Sequence, residues 1–82
     1  RRGNYMEVCR LTDLKEGEKA SVVRLEMDGT IRRRMHDIGL TPNCCIECVQ
    51  KSPLGDPVAY NVCGALIAIR NSDADLIFVS KG

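Results

Sequence analysis

The sequence predicts a mainly-β domain: a small β-barrel of about five strands curled on itself, with one short α-helix and one helical turn. Three observations lead there. Short runs rich in apolar and β-branched residues recur along the chain, and clusters of turn formers separate them. Only one stretch, Ile31 to Leu40, carries a helical period of any length. The chain has 82 residues, and a domain of that size buries only about 60 to 65% of the surface its unfolded form exposes, so one modest core is all it can build. Residues 11–82 are expected to form the barrel, with residues 1–10 as a partly disordered N-terminal extension.

"LTDLKEGE" places Leu11 and Leu14 on one side of a short turn that Gly17 closes. "KASVVRLE" follows, with Val22 and Val23 between charged ends, and reads as a strand. "MDGT" turns the chain, with Thr30 as helix cap. In "IRRRMHDIGL" the apolar residues Ile31, Met35 and Ile38 recur at i, i+4 and i+7, which predicts a helix from Ile31 to Ile38 docked through that face. Gly39 suits the left-handed position after it, Leu40 is placed to meet Met35 in a Schellman closure, and Pro42 prevents continuation. From Cys44 the period becomes two: Cys44, Ile46 and Cys48 share one face of a strand, and Cys45, Glu47 and Val49 the other. "KSPLGDP" is a turn, "VAYNVC" a strand, "ALIAIR" a buried strand after Gly64, "NSDAD" a polar turn, and "LIFV" the last strand.

Charge and cysteine usage narrow the function classes. Twelve Lys and Arg against eleven Asp and Glu leave a net charge of +1, without the basic excess of a nucleic-acid binder. The three aromatics, Tyr5, Tyr60 and Phe78, are too few for a stacking platform. The longest apolar run, "VCGALIAI", has eight residues, whereas a membrane helix needs about twenty. An odd number of cysteines, five, and no secretory signal predict a reduced, cytosolic chain.

On the helix, Arg34 lies at the edge of the apolar arc and lays its stem on the core, while Arg32, Arg33, His36 and Asp37 point outward. His36 and Asp37 are sequence neighbours, so their side chains diverge and the aspartate cannot orient the imidazole. With no second histidine, nucleophile elbow or phosphate loop, the chain reads as a non-enzyme without a cofactor. The cysteines are the alternative: "CIEC", Cys45 to Cys48, is a CxxC pair, and Cys9, Cys44 and Cys63 could complete four thiolates around zinc or iron, with Cys44, Cys45, Cys48 and Cys63 as the candidate set. A second CxxC is absent, and an extended strand sends Cys45 and Cys48 to opposite faces. Buried thiols acting as small apolar residues are therefore the favoured reading.

"LTDLKEGE", "IRRRMHDIGLTPN", "SPLGDPVAYNVCG" and "ALIAIRNSDADLIFV" together resemble the FeoA family of bacterial ferrous iron transport, over Leu11 to Val79. The family's arginine, large apolar residue, Gly-Leu pair and proline turn fall on Arg34, Met35, Gly39, Leu40 and Pro42. Asn43 stands where glycine is usual, and asparagine also tolerates positive φ. The Gly55 to Pro57 triplet and Gly64 match as well; Cys44, Cys45 and Cys48 are not part of the family pattern. The resemblance implies an SH3-like barrel in the cytosol that assists FeoB, a membrane transporter with a cytosolic GTPase domain. The charge balance, the few aromatics and the short apolar runs predict no nucleic acid and no membrane insertion. The outward residues Arg32, Arg33 and His36, with Leu54 in its turn, are the expected partner-binding set. A related module forms the C-terminal domain of DtxR-type repressors, which leaves a metal-responsive domain using the cysteines as the alternative function.

Overall fold

The computed structural model describes residues 8–81. Six antiparallel strands, β1 (Val8–Arg10), β2 (Lys19–Leu25), β3 (Cys45–Lys51), β4 (Val58–Val62), β5 (Ala65–Ile69) and β6 (Ile77–Ser80), pair in the order β1-β6-β2-β3-β4-β5. In β3 and β4 the expected alternation is realised side chain by side chain. In β3, Cys44 just before the strand, Ile46 and Cys48 are buried while Cys45 and Val49 are exposed; in β4, Val58, Tyr60 and Val62 all point inward. Leu11, Leu14, Leu40, Ile69 and Ile77 complete one contiguous core. Register shifts between Val22 and Arg24 and between Cys48 and Gln50 mark irregularities in β2 and β3; such bulges bend and twist the strands that carry them, which lets a small sheet curl around its core.

The structure differs from the sequence-based expectation in five places. The described residues form six strands, because Val8–Arg10, placed by the sequence in the N-terminal extension, pairs with β6 through Val8↔Ser80, Cys9↔Val79 and Arg10↔Phe78. Three residues are too few to show a period, and their partner lies at the far end of the chain. The expected disorder of residues 1–7 lies outside the described residues. The "NSDAD" stretch forms a short helix, α2 (Asn71–Ala74), because Ala74 is buried and draws the segment onto the barrel. The main helix, α1 (Gly29–Asp37), starts two residues before Ile31, and its cap position is Asp28 rather than Thr30, without a side-chain cap bond.

The fourth difference is that α1 docks through Met35 alone: Met35 is 7% exposed, whereas Ile31 and Ile38 are 43% and 36% exposed. The fifth is β5, which is not a buried strand. It is an edge of the sheet, and Leu66 is 69% exposed.

Candidate partner-binding surface

The helix that carries most of the candidate residues is held by its C-terminal closure. The Gly39 N–H donates to the His36 carbonyl and the Leu40 N–H to the Met35 carbonyl, both at 3.0 Å, with Gly39 at φ +96°. This is the Schellman pattern, and it places buried Leu40 beside buried Met35. The chain then crosses to β2, where the Asn43 N–H donates to the Val22 carbonyl at 2.7 Å and the Val22 N–H to the Cys44 carbonyl at 2.8 Å. Asn43 has φ +74°, so asparagine supplies the left-handed turn that glycine would otherwise provide.

With one face closed by Met35, the outer face of α1 is fixed by helical geometry. Arg32, Arg33 and His36 come together there and, with Gly29 and Asp37, line a shallow depression of about 420 Å³. On the other side, α1 stands off from β5 and leaves a groove of about 400 Å³. Arg34, Met35 and Ile38 form one wall; Ile67, Ala68, Ile69, Arg70 and Asp73 form the other. Ile38 is part of that wall, which is why it remains half-open to solvent.

Leu54 is not on either surface of α1. It sits at the tip of the β3–β4 connection, 93% exposed. That connection is tied down: the Gly55 N–H donates to the Ser52 carbonyl at 2.8 Å, the Asn71 side-chain amide donates to the Gly55 carbonyl at 2.6 Å, and the Asn71 N–H to the Asp56 carboxylate at 2.9 Å. Pro53 and Pro57 beside it line a further depression with Ala59 and Ala68. Ala68 thus borders both this depression and the α1–β5 groove, so one open surface runs from the helix across the edge strand to the Leu54 loop. Sequence reasoning missed the groove residues Ile38, Ile67 and Arg70. A helical wheel counts Ile38 as core, and only strand order shows that β5 is an edge.

The cysteines do not assemble as a set of four. Cys48 is fully buried on the inner face and Cys45 exposed on the outer, while Cys44 and Cys63 meet with their sulfurs 2.6 Å apart. Burial, then the hydrogen bond with Cys63, pushes the Cys44 thiol up to about 11; burial also raises that of Cys48. Among the described residues, no three His, Cys, Asp or Glu side chains converge on a point where a metal ion could sit. No described helix is long and apolar enough to cross a membrane.

A mainly-β antiparallel domain of this size, with its short helix standing at one sheet edge, has the architecture of a small SH3-like barrel. A family model for the FeoA domain matches residues 9–81. The chain is 37% identical over 70 residues to the Fe(2+) transport protein A/Fe(2+) transporter FeoB fusion protein of Porphyromonas gingivalis, covering 85% of this chain and 8% of that protein. The solution structure of the FeoA protein of Chlorobium tepidum superposes with a TM-score of 0.85 at 33% identity, over 89% of this chain and 70% of that one. A zinc complex of the FeoA protein of Stenotrophomonas maltophilia, described as a procaryotic SH3 domain protein, gives 0.76 at 25% identity over 87% and 88%. The chain belongs to the FeoA family, whose members are associated with ferrous iron transport. It spans about 8% of the length of the curated relative it matches.

Proposed function

We propose that this domain is a non-enzymatic, cytoplasmic accessory of ferrous iron uptake that binds the transporter FeoB and biases its conformation. The observation that carries the reading is the Porphyromonas gingivalis relative, in which Fe(2+) transport protein A and FeoB are one polypeptide. Fusion turns a weak contact into an intramolecular one at high effective concentration. The depressions on α1 and beside β5 are shallow and open, which gives the domain taken by itself few deep contacts to offer. The expected contact is therefore transient, about micromolar or weaker. Arg32, Arg33 and His36 present cationic and hydrogen-bonding groups, while Leu54 offers an apolar tip on a tethered loop. The first group suits an acidic patch on the partner, and the Leu54 tip, on a separate part of the domain, suits an apolar recess. Binding one transporter conformation more tightly than another shifts the balance by that difference in affinity.

The test is an NMR titration of the isotope-labelled chain with intact FeoB in nanodiscs, with and without guanine nucleotide. Shift perturbations at Arg32, Arg33, His36 and the Leu54 loop are expected. No perturbation in any nucleotide state would refute direct docking, and perturbations confined to β1, β6 and β2 would refute the choice of surface.

A further inference from the structure

The thiol pair of Cys44 and Cys63 is not accounted for by partner docking. Cys44 is 6% exposed and lies where the connection from α1 enters β3; Cys63 is exposed in the two-residue turn between β4 and β5. The pair is 19 residues apart in sequence, and the β3–β4 ladder brings the two together. Ile46 pairs with Val62, and one step further the Cys63 N–H donates to the Cys45 carbonyl at 3.2 Å. The turn is of the kind that suits a hairpin, with Cys63 at φ +51° and Gly64 at φ +92°. A cysteine at positive φ carries a steric cost that asparagine or glycine would largely avoid. Its sulfur nevertheless rests on that of Cys44, 2.6 Å away. The neighbouring backbone holds both ends in place: the Cys44 N–H donates to the Thr41 carbonyl at 3.0 Å, and the Gly64 N–H to the Asn61 side chain at 2.9 Å.

The geometry points to Cys44 and Cys63 as a reversible thiol–disulfide site, oxidised by a low-molecular-weight disulfide and cross-linking the β4–β5 turn to the segment that follows α1. The exposed Cys63 thiolate attacks one sulfur of the small disulfide, and the other leaves as a thiolate and takes up a proton. Cys44 then gives up its proton and attacks the Cys63 sulfur, displacing the second small thiolate. The protein loses two hydrogens and two electrons, and one small disulfide becomes two small thiols. Roles follow from exposure. Cys63 is the sulfur a reagent can reach, and buried Cys44 resolves the mixed disulfide from within. Burial also makes Cys44 a poor leaving group, so an external thiol attacking Cys63 releases it slowly and the bridge, once formed, persists. Cys45 is exposed next door, but in this arrangement it is Cys44 whose sulfur rests on Cys63.

The experiment uses the full chain, reduced and then incubated anaerobically with oxidised glutathione, quenched in denaturant with N-ethylmaleimide, and weighed intact. The expected result is a fall from five alkylated thiols to three, without retained glutathione, restored to five by dithiothreitol. Tryptic peptides 35–51 and 52–70 should be found linked, since cleavage after Arg34, Lys51 and Arg70 separates the two partners. Cys63→Ser, at an exposed position, and Cys44→Ala, which keeps a small apolar side chain in the buried one, should each abolish the link, while Cys45→Ser should leave it intact. Five thiols remaining, a glutathione adduct that never resolves, a disulfide between two chains, or a bridge lost in Cys45→Ser would each overturn the assignment.

Discussion

Replacing Gly39 by alanine isolates a backbone effect, because an added Cβ there meets nothing within 4 Å while φ is +96°. Steric crowding with neighbouring groups is absent, so the cost is that of holding an L-residue in the left-handed region, about 1 to 2 kcal/mol. The helix end cannot escape that cost by fraying, because Leu40 and Met35 would be drawn out of the core with it; they are 0% and 7% exposed. In a domain of this size each kcal/mol lowers the melting temperature by about 4 to 8 °C, which puts the alanine variant roughly 4 to 16 °C below the parent. Urea unfolding followed by far-ultraviolet circular dichroism gives the same quantity isothermally, with an unchanged slope marking a native-state effect. Gly39→Asn provides the internal control, since asparagine tolerates positive φ and should recover a good part of the loss. An alanine variant with the parent's midpoint, or an asparagine variant no better than alanine, would mean that the closure does not anchor α1.

Met35→Ala should cost about 2 kcal/mol or more, while Ile31→Ala and Ile38→Ala should cost well under half of that, since a core truncation leaves a cavity and a half-exposed one does not; three equal losses by chemical denaturation would contradict single-point docking. Burial pushes the Tyr60 phenol from 10.0 up to about 12, so the fold holds it neutral where the unfolded chain ionises it. Stability should therefore be independent of this group below pH 10 and fall as pH rises from 10 towards 12, and Tyr60→Phe should remove that slope in melts at pH 9 and 11. Replacing Arg32, Arg33 and His36 together by alanine should weaken FeoB binding by tenfold or more in the nanodisc titration while leaving the melting temperature within a few degrees, as expected for solvated side chains. Leu54→Ser should weaken the same binding with no loss of stability, because the side chain touches little of its own chain. A variant that binds like the parent would remove that residue from the surface.

The features legible in the sequence are those that depend on spacing and local backbone conformation. The split of Cys44, Ile46 and Cys48 from Cys45 and Val49 follows from the two-residue period of a strand. The stop at Gly39 and Leu40 follows from what a helix C-terminus requires, and it places Met35 in the core with no knowledge of the rest of the chain. The outward direction of Arg32, Arg33 and His36 needed only the helical repeat.

What spacing along the chain could not show is set by contacts between distant segments. β1 exists because Val8, Cys9 and Arg10 lie against β6, some 70 residues away, and no local pattern of three residues carries that information. Ile31 and Ile38 have the periodicity of a buried face, yet the helix settles with only Met35 under cover and leaves Ile38 in the wall of a groove; burial depends on what stands opposite, not on period. "ALIAIR" has the composition of an interior strand, and its place at the end of the sheet order exposes it. A linear reading takes Cys45 and Cys48 as the pair and offers Cys44 and Cys63 only as further members of a set of four, not as neighbours of each other. They meet because the register of β3 on β4 brings the β4–β5 turn back to the start of β3, and register is settled by which faces of two strands share one core.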